Sequence, residues 1–281
     1  MRRLALLLAG AVTALAEPAP KVLKDLPYRS GDDLTAYETG RCKLDLTLPA
    51  QADRPFATYV WLYGGGLKNG GKDLATEHCT EIAASFAREG IAVVVPDYRL
   101  NPKAKYPEYV DDAAAAFAWT VRHIAQHGGD PRKVFIGGHS AGGYLALLVG
   151  FDEARLRPYG LGLKDVAGIA QVSGQVFTHY TVREERGLSR HATTSDEAAP
   201  AFFVRKALPP LLTIYAENDM PGRAEENLYL LAMLKGAGHP ETTSLKAIGK
   251  DHGSAGHDLR WADDPGHQAV VRFIRTQAEK R

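Results

Sequence analysis

The stretch FIGGHSAGGYLAL, residues 135–147, is the feature that most constrains this sequence. Within it, Gly-His-Ser-Ala-Gly fits the G-x-S-x-G pattern, between an apolar run that predicts a strand and a run that predicts a helix. The chain must turn sharply there, so bulky side chains at Gly138 and Gly142 would collide across the turn. Ser140 would then stand at the start of a helix, where the helix dipole favours developing negative charge. The pattern predicts Ser140 as a nucleophile.

A nucleotide-binding turn is the alternative interpretation of this glycine-rich strand-to-helix connection. Such a turn would need a G-x-G-x-x-G pattern or a G-K-[ST] ending, and residues 135–147 contain neither. The context therefore favours the nucleophile.

Short apolar runs alternate with helical patterns along the chain. The run IAVVVP is continuous and valine-rich, as in a strand buried on both faces. Strands separated by helices predict an α/β protein with a mostly parallel central sheet flanked by helices on both faces. Residues 175–208 fit this rhythm poorly, and we expect an insertion or short lid over the carboxyl edge of the sheet. The predicted strands cover residues 42–48, 58–63, 91–96, 133–137, 166–172, 211–216 and 242–248, and the predicted helices cover 77–88, 109–127, 141–149, 224–235 and 265–280.

A second glycine cluster, WLYGGGLKNGGKD at residues 61–73, follows an earlier predicted strand. Attack of a serine on an ester creates an oxyanion, which needs preorganised amide donors. One donor is the residue after the nucleophile, here Ala141, and another comes from an earlier glycine-rich loop. We therefore expect the amides of Gly65, Gly66 and Ala141 to form an oxyanion hole. A purely structural turn is the alternative.

Taken together, these motifs resemble the α/β-hydrolase superfamily, and within it the hormone-sensitive-lipase-like and bacterial carboxylesterase branch, which includes BD-FAE-like proteins. The matching pieces are YGGGLKNGGKD, VPDYRL with YPEYVDDAAAAFAW, HGGDPRKVFIGGHSAGG and PPLLTIYAENDMP. The resemblance implies the α/β-hydrolase fold with a small lid or none, and a serine hydrolase of carboxylic esters that needs no cofactor. Two positions depart from the family pattern: Tyr63 stands where His usually precedes the glycines, and Leu67 stands where an aromatic residue is common.

The resemblance also implies the partners of the nucleophile, because α/β-hydrolases order the triad as Ser, acid, His. The acid follows a late strand, which favours Asp219, with Glu217 as the alternative. The histidine follows the last strand, where KDHGSAGHDL offers His252, in the setting closer to the family's, and His257. The expected site is a triad of Ser140, His252 and Asp219, with no metal.

The predicted reaction is cleavage of carboxylic esters, short-acyl ones foremost, through an acyl-enzyme. Three alternatives remain open: an amide hydrolase of the arylformamidase or peptidase type, a polysaccharide acetyl or feruloyl esterase, and a noncatalytic binding protein on the same fold. For the predicted carboxylesterase, the expected partner is a small-molecule ester.

Several polar residues near these motifs have structural interpretations. We expect His139 to pack inside the elbow or to line the pocket. Asp97 and Arg99, in the DYRL segment, are expected in a structural polar network near the elbow. Arg223 is expected at the solvated start of a helix.

The amino-terminal segment MRRLALLLAGAVTALAEPAP has the features of a secretory signal. Two arginines precede a short apolar run, and Ala-Leu-Ala forms an A-x-A cleavage site before Glu17. The apolar run is shorter than the roughly 20 residues that span a bilayer. We expect a signal peptide at residues 1–16, one domain at residues 17–281, and a secreted or periplasmic location.

Charge and cysteine content narrow the possible partners. Loss of the two signal arginines would change the formal net charge from +1 to −1. This near-neutral balance gives no electrostatic reason to expect nucleic acid or an anionic membrane surface as a partner. The two cysteines, Cys42 and Cys79, could form a disulfide in an exported protein or remain as buried thiols.

Overall fold

The computed structural model describes residues 19–50 and 55–281, so the expected signal peptide lies outside the described residues. The strands are β1 (Lys21–Pro27), β2 (Lys43–Leu48), β3 (Phe56–Leu62), β4 (Ala92–Pro96), β5 (Gly129–His139), β6 (Gly168–Val172), β7 (Leu211–Asn218) and β8 (Thr242–Asp251). The α-helices are α1 (Ala36–Arg41), α2 (Cys79–Arg88), α3 (Glu108–His123), α4 (Ala141–Phe151), α5 (Tyr180–Glu185), α6 (Arg223–Gly236), α7 (His252–His257) and α8 (Pro265–Ala278). Among the described residues, no helix combines the length and apolarity that crossing a membrane requires.

The eight strands form one sheet in the order β1-β2-β4-β3-β5-β6-β7-β8. β1 and β2, and β2 and β4, pair antiparallel, whereas the strands from β4 through β8 pair parallel. The prediction of a mostly parallel sheet is confirmed. Because parallel strands end at the same edge, the segments after β3, β5, β7 and β8 meet there. β3 and β5 are neighbours, so the first glycine loop lies beside the elbow.

The centre of the sheet is built from the residues that the apolar runs indicated. The valine run of β4 is buried at every position, as expected for a strand covered on both faces. All eleven residues of α4 are buried as well. The turn that begins α4 is therefore held by core packing on both of its sides.

Two segments differ from the prediction. Residues 17–27 were expected to be irregular, but they contain β1, which pairs with β2. β1 is an edge strand whose residues are exposed or only partly buried, so it carries no burial pattern that a sequence could show. The helix expected to reach His127 ends at His123, and a 3₁₀ turn covers Ile124–His127.

The two cysteines are unpaired. Cys42 and Cys79 are each 2% exposed and occur as free thiols. The structure thus agrees with the alternative of two buried thiols.

Candidate active site

The turn between β5 and α4 holds Ser140 in an unusual backbone conformation. Its φ and ψ are 55° and −116°, a region that residues with a side chain rarely adopt. A Cβ added at Gly138 or at Gly142 would collide with the carbonyl oxygen of Leu62 in β3. Both glycines are needed because the backbone of β3 runs directly against the turn.

Three side chains from separate strand ends form a hydrogen-bonded chain. Ser140 Oγ lies 2.8 Å from His252 Nε2, and His252 Nδ1 lies 2.6 Å from Asp219 Oδ1. The Asp219 carboxylate also accepts a hydrogen bond of 2.5 Å from Ser173 Oγ. Because a carboxylate only accepts, His252 donates from Nδ1, which leaves Nε2 to accept the Ser140 proton. Ser173 carried no sequence signal for this contact.

The Asp219 carboxylate is held in its charged form. Burial acts to raise the pKa of Asp219, but hydrogen bonds from His252 and Ser173 outweigh burial and lower the pKa below its usual value. A charged Asp219 can fix the tautomer of His252 and stabilise the positive charge that the imidazole gains when it accepts a proton.

The alternative acid and the alternative histidine are placed elsewhere. Glu217 is exposed, forms an ion pair of 2.8 Å with Lys246, and accepts the Gly249 N–H. The ring of His257 packs 5.4 Å from that of His139 and forms no hydrogen bond with Ser140. Of the two candidate pairs, the structure brings Asp219 and His252 to the serine.

His139 contacts the backbone of the neighbouring histidine. Its Nε2 lies 2.7 Å from the carbonyl oxygen of His252, and the two rings are 4.8 Å apart. Burial lowers the pKa of His139 to about 3, so the ring is neutral and donates from Nε2 to that carbonyl. A Cβ on Gly256 would collide with the His139 ring. His139, the residue before Ser140, thus holds the backbone of His252 in place.

The first glycine loop lies against the elbow, since a Cβ added at Gly64 would lie 3.4 Å from Ser140 Cβ. Gly65 and Gly66 have φ values of 89° and 65°, which favour glycine. The N–H groups of Lys68 and Asn69 donate to Gly65 O, at 3.1 and 3.0 Å, and close the loop. In the described part of the chain, the N–H groups of Gly65, Gly66 and Ala141 have no backbone acceptor. Three amides therefore keep an unused N–H donor.

Tyr63, one of the two residues that depart from the family pattern, supports this loop. Its hydroxyl accepts a hydrogen bond of 2.6 Å from Arg41 and donates one of 2.9 Å to Asp97. Its ring stacks on Tyr98 with centroids 4.6 Å apart. Asp97 in turn accepts the Lys72 N–H at 2.8 Å. The Tyr63 hydroxyl is used in a buried network below the glycines.

Asp97 and Arg99, expected in one network, belong to two. Asp97 serves the glycine loop, whereas Arg99 forms two hydrogen bonds of 2.8 and 2.9 Å with the buried Asp112. Arg99 also bonds Glu38 and Glu108, each at 2.9 Å. The second network joins α1 and α3 and lies away from the serine.

Residues 175–208 cover the glycine loop. Thr181 Oγ1 in α5 donates to Gly66 O at 2.6 Å, and Lys68 pairs with Glu184 at 2.5 Å. The hydroxyl of Tyr180 lies so close to Gly66 that a Cβ there would collide with it. α5 therefore closes one side of the site, where the poorly patterned segment was expected.

Comparison with known proteins identifies the family. Residues 44–230, most of the sheet and the elbow, match the family model named BD-FAE. The chain belongs to the BD-FAE family. Among solved structures it is similar to a truncated form of carbohydrate esterase from gut microbiota, with a TM-score of 0.75 and 18% identity over 94% of this chain and 99% of that one. It is also similar to Esterase B from Lactobacillus Rhamnosis (HN001), with a TM-score of 0.71 and 20% identity over 93% and 86%. These likenesses confirm the α/β-hydrolase fold for this BD-FAE member.

The sequence relatives of this BD-FAE member carry esterase and lipase names. It is 28% identical over 226 residues to the versiconal hemiacetal acetate esterase of Dothistroma septosporum (strain NZE10 / CBS 128990), over 75% of this chain and 65% of the relative. It is 38% identical over 93 residues to Lipase 2 of Moraxella sp. (strain TA144), over 33% and 21%. The chain thus spans less than two thirds of the length of both relatives.

Proposed function

We propose that this BD-FAE family member is a serine carboxylesterase that acts on short-acyl esters. The observation that carries the proposal is the hydrogen-bonded chain from Ser140 through His252 to Asp219, which lies beside three unpaired backbone amides. This is the arrangement that acyl transfer requires: a nucleophile, its base, an acid that orients the base, and donors for the oxyanion.

Acylation uses each of these groups in turn. Ser140 Oγ attacks the ester carbonyl carbon while His252 Nε2 accepts its proton. The carbonyl oxygen becomes an oxyanion, to which Gly65, Gly66 and Ala141 donate their N–H groups. When the tetrahedral intermediate collapses, the bond to the alcohol breaks and His252 returns the proton to the leaving oxygen. An acyl group remains on Ser140.

Deacylation repeats these steps with water. His252 accepts a proton from a water molecule, whose oxygen attacks the acyl carbon. The second tetrahedral intermediate uses the same amides, and His252 then protonates Ser140 Oγ as the acid leaves. The ionised Asp219 stabilises the His252 imidazolium in both halves of the reaction.

Two observations favour esters with a short acyl group. The acetate esterase of Dothistroma septosporum, which this chain resembles over 226 residues, is named for an acetyl ester. Tyr180 of α5 closely approaches Gly66, which narrows the space beside the proposed oxyanion hole. Space for a long acyl chain on that side is therefore limited.

The test is hydrolysis of 4-nitrophenyl esters from acetate to laurate. We expect kcat/KM to be highest for acetate and butyrate and to fall with chain length. Ser140→Ala should lower kcat by roughly 10⁴-fold or more, because the nucleophile and its base act as a unit. The matched control is Ser244→Ala, which removes an exposed serine on β8 and should leave the rates unchanged.

Three outcomes would contradict the proposal. A folded wild-type protein that hydrolyses no ester would remove the esterase claim, and turnover of 4-nitroanilides would then indicate an amide hydrolase. Ester turnover that survives Ser140→Ala would remove the serine mechanism. A preference for laurate would overturn the short-acyl assignment.

A further inference from the structure

Two buried arginines lie beside the proposed active site without a carboxylate partner. Arg183, in α5, and Arg223, at the start of α6, are each 5% exposed. Neither forms an ion pair with an aspartate or glutamate in the described part of the chain, although other arginines nearby do: Arg186, one turn further along, pairs with Asp196 and Glu197.

Most N–H groups of these two arginines are unused. Arg223 Nη1 donates to the carbonyl oxygen of Ser173 at 2.7 Å. Arg183 Nη1 donates to the carbonyl oxygen of Ala192, and its Nε is buried without a partner. A guanidinium carries five N–H donors, so each side chain keeps capacity for a bidentate acceptor.

Hydrogen bonds connect the segments that carry this pair to the triad and to the glycine loop. Ser173, which accepts from Arg223, donates its own hydroxyl to Asp219. The residue before it, Val172, accepts the Ser140 N–H at 2.9 Å. On the other side, the helix that carries Arg183 is bonded to Gly66. The two arginines thus belong to segments that contact the triad and the glycine loop.

The carboxylates that act on the two arginines are bonded to other groups. Glu226 is the carboxylate with the largest electrostatic effect on both, but it accepts from the Val176 N–H at 2.9 Å and from Gln175 at 3.4 Å. Burial lowers the pKa of both arginines and of His179, whose buried Nε2 has no partner. Asp219 also acts on Arg223, and Glu184 on Arg183, but these carboxylates bond His252 and Lys68. The two guanidinium groups thus keep unused donors and lack a direct carboxylate partner in the described residues.

An unpaired buried cation is costly, because it has lost hydration without gaining an anion. An arginine can regain both charge and hydrogen bonds from a carboxylate, in the two-point geometry that guanidinium favours. We propose that the site selects esters that carry a carboxylate in the acyl or the alcohol part, bound by Arg223 together with Arg183. This inference rests on the proposed esterase function and specifies its substrate class.

The test compares matched anionic and neutral esters. For the acyl side, 4-nitrophenyl glutarate is compared with 4-nitrophenyl hexanoate; for the alcohol side, 4-acetoxybenzoate is compared with phenyl acetate. We expect Arg223→Met to lower the ratio of anionic to neutral kcat/KM roughly 10- to 100-fold for at least one pair, as loss of a charged hydrogen bond predicts. Arg223→Lys keeps the positive charge but not the two-point hydrogen-bonding geometry, so it should lower this ratio less.

Arg186→Met is the matched control, because it removes a nearby positive charge that already has carboxylate partners. In Arg186→Met, the ratio of anionic to neutral kcat/KM should stay within about twofold of the wild-type ratio, because exposed ion pairs contribute little free energy. Circular dichroism and thermal unfolding establish that each variant is folded.

A measurement on the wild-type protein keeps the inference testable if Arg223→Met does not fold. Glutarate should inhibit neutral-ester hydrolysis competitively, at concentrations at least about tenfold below those of 1,5-pentanediol. Equal inhibition by the two, or an anionic-to-neutral ratio that Arg223→Met leaves unchanged, would overturn the inference. Neutral-ester turnover would persist in that case, whereas no turnover of any ester would instead refute the proposed function.

Discussion

At the scale of single residues, the contact between His139 and His252 links the turn of the nucleophile to the position of its base. The imidazole of His139 is buried, and its only polar partner in the described residues is the carbonyl oxygen of His252. That bond holds the start of α7, from which the His252 ring reaches Ser140. Replacement of His139 should therefore affect catalysis through the geometry of His252.

We expect His139→Ala to lower kcat on a short-chain ester about 10- to 100-fold with little change in KM, because misplacement of the base affects the transition state more than substrate binding. His139→Gln can still donate from its amide nitrogen and should recover much of kcat. Steady-state kinetics on the three proteins tests this. Equal losses in both variants, or a loss confined to KM, would argue against a positioning role.

We also expect His139 to affect how the free energy of unfolding depends on pH. Its pKa is about 3 in the folded protein against an ordinary value of 6.5, so between these values the unfolded chain binds a proton that the native state does not. Above about pH 6.5, His139 is neutral in both the folded and the unfolded chain, and its stabilising contribution is fully present. Below that pH the unfolded chain gains a proton, so the free energy of unfolding falls by up to about 1.4 kcal/mol per pH unit. Urea unfolding at pH 7.5, 6 and 5 should show wild type losing stability relative to His139→Gln. A constant difference would contradict this.

At the scale of elements, the glycine loop after β3 is held by side chains from outside it. Arg41 comes from α1 and Asp97 follows β4, and both bond the hydroxyl of Tyr63. From above, Thr181 of α5 bonds Gly66. A loop with several glycines has high conformational entropy when free, so these supports keep its amides in place before substrate arrives.

Tyr63→Phe isolates the contribution of this support. The substitution keeps the ring stacked on Tyr98 but leaves Arg41 and the buried side of Asp97 with one fewer partner. We expect the free energy of unfolding to fall by about 1–3 kcal/mol, and kcat to fall more than KM changes. Urea denaturation and ester kinetics measure the two effects. As a control, Tyr229→Phe alters an exposed tyrosine on α6 and should change neither quantity. Unchanged stability and kcat in Tyr63→Phe would show that the hydroxyl does not support the loop.

At the scale of the whole molecule, the central sheet positions the site. The reactivity of the two buried cysteines shows whether the protein is folded. Cys42 and Cys79 lie beside this core as thiols, and burial raises the pKa of Cys42 to about 11. A thiol that is both buried and protonated reacts slowly, because the thiolate is the reactive form.

The two thiols therefore provide a test of the native fold. Titration with Ellman's reagent at pH 8 should detect almost no thiol in the folded protein and two per chain in 6 M guanidinium chloride. Reducing agent should not change the melting temperature. A melting temperature that falls in dithiothreitol, or denatured protein without free thiol, would indicate a disulfide and contradict the structure.

The sequence alone determined the features that depend on near neighbours. The elbow is local, because the turn that carries Ser140 needs small residues two positions before and after it. The alternation of valine-rich runs with helical patterns was sufficient to predict the parallel sheet, because strands buried on both faces must be apolar throughout. The resemblance to α/β-hydrolases, which order the triad as Ser, acid, His, then implied two candidates each for the acid and the histidine.

The tertiary structure decided what depends on distant contacts. Glu217 and Asp219 lie two residues apart, and only the path of β7 and β8 directs Asp219 to His252 and leaves Glu217 in solvent. β1 is a strand because β2 offers it an edge. Arg223, expected at a solvated helix start, is buried and donates to the carbonyl oxygen of Ser173, which lies far from it in the sequence. Burial depends on which surfaces meet in three dimensions, and a local pattern of residue types does not contain that information.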